Sequence, residues 1–168
     1  MLVLAGAPTT VIDTFNAQDV DNREMGPGFR WTIPISTDQQ AGLRWIRTST
    51  PADAIVQADP IVRGRDQWTL IPSFAGRRSA AGQPISLLDT PEYARRSHAV
   101  HALFGEADVE AAHREAVRLG IDYLWIDETD DAAIAERWRT RPDLFGTPFR
   151  RGAVHVFEVR PVPSARLP

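Results

Sequence analysis

Four places in this 168-residue chain gather side chains able to do chemistry. In "FAGRRSAAG", Gly76 and Gly82 let the backbone approach a ligand closely, and Arg77 and Arg78 offer two guanidinium forks to an anion. The run lacks the lysine and terminal hydroxyl of a P-loop, and a polar turn between strands has the same composition. In "IDETDD", Asp127, Glu128 and Asp130 form an acidic group with Asp131. Such carboxylates could hold a hard cation for a metal-assisted reaction. Their spacing fits no defined metal loop, and acids at a helix start also cap free N–H groups and complement the dipole. His98, His101 and His113 fall on two consecutive helical stretches, but spacing supplies no third ligand to the His98–His101 pair. In "FNAQDVDNR", Asn16, Asp19 and their neighbours could meet sugar hydroxyls or a membrane surface, or form a loop of Asx-turns.

The totals exclude several functions. There is no cysteine, hence no disulfide, thiol catalysis or zinc–thiolate site. No serine sits in a nucleophile elbow, and no carboxylate pair stands out as acid and base. A freestanding enzyme is therefore poorly supported, and no cofactor is expected. The net charge of −3 gives no broad pull toward nucleic acid. All 19 basic residues are arginine, which suits planar, bidentate recognition of phosphate or carboxylate and equally reflects base composition in a GC-rich genome.

These residues need elements to position them. "STDQQAGLRWIRTST" reads as a helix capped by Ser36 or Thr37, with Thr37 and Gln40 at capping-box spacing, and it stops before Pro51. "DAIVQADP" reads as a short strand. "QWTLIPSF" has strand composition, with Pro72 forcing an edge or a bend, and "PISLL" suggests another short strand. A helix over "DTPEYARRSHAVHALF" is capped by Thr90, with Pro91 at its first position. The spacing of Val109, Ala112, Ala116 and Leu119 predicts the next helix, closed by Gly120. "IDYLWID" is apolar on both faces and belongs in the middle of a sheet covered by helices. A short helix over "DAAIAERW", capped by Thr129 or Asp130, and an antiparallel hairpin turning at Gly152 complete the order. The expectation is an α/β domain: a mixed sheet flanked by helices in three layers, closing with an antiparallel C-terminal hairpin.

The order of "LRWIRTSTPADAIVQADP", "WTLIPSFAGRRSAAG", "AHREAVRLGIDYLWID" and "VHVFEV" resembles the extracytoplasmic C-terminal domain of bacterial multi-pass membrane proteins of the GT-C glycosyltransferase-like type. The resemblance spans most of residues 36–160. It implies a domain attached to an enzyme that takes sugar from a lipid-phosphate donor at the membrane surface. The catalytic acid of that family lies in a loop between membrane helices, so no catalytic residue carries over. The "GRR" loop carries over as a contact to lipid phosphate or glycan.

The resemblance also interprets the apolar start, "MLVLAGAPTTVIDT", which is shorter than the roughly 20 residues a spanning helix needs. Met1 to about Thr14 is then the end of a final membrane helix. The chain is a truncated product, half of a split gene or a separately encoded relative. Residues 1–35 are expected as an apolar membrane-proximal segment and loop, 36–160 as the α/β domain and 161–168 as a disordered tail. The expected partners are the membrane or a multi-pass membrane region, with lipid-phosphate sugar or glycan as ligand, on the extracytoplasmic side. The candidate ligand-binding residues are Gly76, Arg77, Arg78, Asn16 and Asp19. The alternatives are a stand-alone, cytoplasmic α/β module binding a small anionic ligand, and the metal-assisted enzyme.

Overall fold

The computed structural model describes residues 35–63, 69–82 and 91–161. The expected membrane helix end, the "FNAQD" exit, the "PISLL" strand, the Thr90 cap and nearly all of the tail lie outside these residues.

The strand that is apolar on both faces, β2 (Tyr123–Ile126), lies inside a four-stranded mixed sheet. On one side it pairs in parallel with β1 (Val56–Gln57). On the other it pairs antiparallel with β4 (Val154–Val159), which pairs in turn with β3 (Phe145–Arg151), giving the order β1-β2-β4-β3. The last two strands form the expected hairpin, and Gly152 turns it at a φ of 54°, which a side chain would resist.

Each face of the sheet has its own core. Successive side chains of a strand point to opposite sides, so Leu124 and Ile126 face one way and Trp125 the other. Leu124 and Ile126 pack with Phe157 beneath α2 (Pro91–Gly105), α3 (Val109–Arg118) and α4 (Ala132–Arg139). Trp138 of α4 anchors that layer, stacking on Phe145 at 5.2 Å and meeting Phe157 edge-on at 5.4 Å. Trp125 packs with Val154 and Val156 under α1 (Thr37–Ser49) and a π-helical turn (Ile71–Ala75). Gly42 is where α1 meets the Trp125 indole. A Cβ there would lie 2.7 Å from the ring, so only glycine allows this approach. Trp125 and Ile126 are almost fully buried, each contributing roughly 2–3 kcal/mol.

Three local expectations are corrected. "TLIPSF" turns helically rather than extending. Leu70, Ile71 and Ala75 reach the core from one side of the turn, while Pro72, Ser73 and Phe74 stay exposed. Packing under α1 thus overrides strand propensity. The capping box lies one residue earlier than the Thr37–Gln40 spacing: Ser36 Oγ accepts from Gln39 N, and Gln39 Oε1 accepts from Ser36 N. Asp131, not Thr129 or Asp130, caps α4 by accepting from Ala133 N. Gly120 follows α3 at a φ of 70°, the left-handed residue the sequence called for.

The sheet has two outer strands. Beyond β1 run residues 78–81, where Val56 N donates to Arg78 O and the Gln57 side chain bonds both Ala81 N and Ala81 O. β3 is the other edge, carrying Pro148, Arg150 and Arg151.

Candidate functional site

The carboxyl ends of the two parallel strands bring the densest polar groups together. Two residues beyond β1 stands Asp59, and directly after β2 comes Asp127. Between the two loops lies Arg63, whose side chain is completely buried. Its Nη1 and Nη2 reach both oxygens of Asp130 (3.0 and 2.6 Å), and Nη2 also lies 3.0 Å from Asp127 Oδ1. Asp127 is saturated with donors. Its Oδ2 accepts from Trp125 Nε1 (2.7 Å) and Gln39 Nε2 (3.1 Å), and its Oδ1 accepts from Thr129 N (2.9 Å). Asp130 is held further by Asp127 N at 2.9 Å.

The electrostatics follow from one cation shared by two acids. Burial works against the charge on Asp127, but Arg63 and the donors around it hold this carboxyl below its ordinary pKa. Burial pushes Asp130 up despite its bond to Arg63, and the neighbouring Asp127 charge adds to the rise. Burial also works against the Arg63 charge, but the two carboxylates more than offset it and raise its pKa. This triad clamps the β1 loop to the β2 loop and ties both to α1 through Gln39. Its chemistry is that of a paired, desolvated ion cluster.

Beside the clamp, Asp59 and His101 form a second unit. Asp59 is nearly buried. Its Oδ1 accepts from Ile61 N and Val62 N in an Asx-turn, and its Oδ2 lies 2.8 Å from His101 Nδ1. The imidazole is 46% exposed. The carboxylate fixes the orientation of the ring through Nδ1. This arrangement can orient a hydroxyl or relay a proton, but no nucleophile is bonded to it among the described residues.

The sequence-predicted residues fall in different places. Gly76 has a φ of 63° and ends the π-helical turn. Arg77 turns back on α1 and donates to Arg47 O (2.7 Å), Thr50 O (3.0 Å) and Thr50 Oγ1 (3.0 Å), covering carbonyls at that helix's C-terminus. Arg78 is exposed and gives one hydrogen bond, to Asp53 O at 2.8 Å. Asp127 and Asp130 are joined through Arg63, Glu128 is exposed, and among the described residues no cluster of three His, Asp or Glu could hold a metal. His98 is exposed, and the Asp59 bond goes to His101, while buried His113 bonds Arg160 O through Nε2 (2.7 Å). Asn16 and Asp19 lie outside the described residues. Sequence reasoning missed Gln39, Asp59 and Arg63. An acid ending one strand, an acid ending the next and an arginine close behind the first were the available signal.

No protein-family model matches the sequence, and no curated protein matches it. A solved structure does. The C-terminal globular domain of an oligosaccharyltransferase from Archaeoglobus fulgidus superimposes with a TM-score of 0.53 at 14% identity, covering 76% of this chain and 100% of that one. The fold is shared. Among the described residues, no helix is long and apolar enough to cross a membrane.

Proposed function

We propose that this chain supplies the non-catalytic soluble domain of a glycosyltransferase-like membrane protein. The observation that carries the reading is the likeness of 76% of this chain to the whole of the C-terminal globular domain of an oligosaccharyltransferase. The order of sequence motifs points the same way. In this reading residues 36–160 form the soluble domain, and residues 1–35 hold it beside a bilayer or a multi-pass partner on the extracytoplasmic side. Its ligand is a lipid-phosphate sugar or glycan. Within the Gly76–Arg78 loop that contact falls to Arg78, because Arg77 is committed to α1 carbonyls. The membrane-proximal segment offers a contact of its own through Asn16 and Asp19.

Flotation of the intact chain on lipid vesicles tests the reading. The chain should rise with the vesicles, and a variant with Leu2→Asp and Leu4→Asp should not. An intact chain that stays at the bottom overturns the membrane placement. Sugar transfer by the isolated chain from a polyprenyl-phosphate donor overturns the non-catalytic assignment. Binding of polyprenyl phosphate that is unchanged by Arg78→Ala removes the loop from the contact.

A further inference from the structure

The amino ends of the parallel strands hold a second concentration of arginine. The end of α3 and the first half of α2 meet around an open cavity of about 360 Å³. Arg95, Arg96 and Arg118 line it with Glu92, and Ala99 and Leu119 supply its apolar wall. Two of the guanidiniums are fixed from behind. Arg96 Nη2 donates to Leu119 O (3.2 Å), covering a carbonyl that would otherwise face an anion. Arg118 is held by Glu115 through Nε and Nη2 (2.7 and 2.5 Å), which leaves its Nη1 free of that pair. Neither Arg95 nor Glu92 has an ion-pair partner among the described residues.

Three planar cations around one space suit the oxygens of a phosphate group, which guanidinium forks bind in bidentate fashion. The cavity falls in the lower part of the roughly 300–1,000 Å³ typical of small-molecule sites, so it has room for more than an inorganic anion. Glu92 adds a constraint. It repels a bare phosphate, yet it accepts a hydrogen bond from a hydroxyl on a neutral remainder. We infer that this cavity binds a phosphomonoester with a hydroxyl-bearing organic part, the phosphate among Arg95, Arg96 and Arg118 and a hydroxyl at Glu92. The inference does not depend on membrane attachment, since a chain that never meets a bilayer carries the same cavity. The chemistry is shared by soluble sugar phosphates and by phosphoinositide headgroups.

Calorimetry of the full chain distinguishes the cases, with glucose 1-phosphate, inorganic phosphate, glucose and vesicles carrying a phosphatidylinositol monophosphate as probes. Glucose 1-phosphate should bind several-fold more tightly than inorganic phosphate, and glucose should give no heat. Arg95→Glu should weaken binding at least ~10-fold, as expected for loss of a charged hydrogen-bond donor and gain of a repelling charge. Arg77→Ala should leave affinity unchanged. Glu92→Gln should narrow the preference for the sugar ester over bare phosphate. Binding to these vesicles that is absent with vesicles lacking the phosphoinositide and is weakened by Arg95→Glu supports the site with a lipid source, whereas vesicle binding unchanged by Arg95→Glu counts against it. Absence of heat from every phosphate probe at about 10 mM, where even millimolar affinities register, overturns the inference. So does wild-type affinity in both Arg95→Glu and Arg118→Glu, with thermal melts confirming that each variant is folded.

Discussion

The two ends of the parallel strands use the same residue type in opposite ways. At the carboxyl end, Arg63 is sealed between Asp127 and Asp130 with no side-chain surface exposed. At the amino end, Arg95, Arg96 and Arg118 open onto a cavity, and Arg95 has no ion-pair partner among the described residues. The contrast teaches that polar density is a poor guide to a binding site. A guanidinium whose donors are already spent on buried acids holds the fold, whereas one with donors to spare can receive a ligand.

The largest effect should come from cutting the clamp. Arg63→Ala leaves two buried carboxylates without their cation and should cost about 3–5 kcal/mol in urea unfolding. Arg95→Ala should change stability by no more than about 0.5 kcal/mol, as befits an exposed site. Equal losses would abolish the distinction between the two ends. Gly42→Ala should come next, because its Cβ would press on Trp125 and on Val154; a loss of about 1–3 kcal/mol is expected from such overpacking, read from the thermal midpoint. Arg77→Ala should cost about 1 kcal/mol by exposing the α1 carbonyls it covers, and Arg78→Ala less.

The smallest effect concerns acidity. His155 is buried, and its Nδ1 has no hydrogen-bond partner among the described residues. Burial lowers its pKa below the ordinary histidine value, and Arg150 and Arg139 lower it further. The unfolded chain therefore takes up this proton at a higher pH than the native one. The stability His155 contributes is present above its unfolded pKa of about 6.5 and declines as pH falls from there toward the folded value. Urea midpoints measured near pH 7.5 and near pH 5.5 should differ less in His155→Phe than in the wild type. An unchanged difference would show that other groups carry the slope.

Much of the fold was legible because it is local. The helical spacing from Val109 to Leu119, the Gly120 stop and the unbroken apolar run of β2 each state their element within a dozen residues. "TLIPSF" was not, since its composition favours a strand and only packing beneath α1 makes it turn. The clamp was not legible either. Arg63 and Asp130 are 67 positions apart, and no periodicity links two loops that meet only when β1 and β2 pair. The same long-range contact explains the misplaced helix cap. Asp130 has the right chemistry for a cap, but Arg63 draws it away, so Asp131 takes the role.

The outer strands carry one more consequence. Residues 78–81 already occupy the flank of β1, and on the opposite flank Pro148 offers no N–H, Arg150 adds an exposed charge and Arg151 is paired with Asp38. A second copy gains little by lining up along either border. Crowded molecules of this domain can jostle without zipping into a continuous β-ribbon, so close spacing at a surface need not lead to clumping.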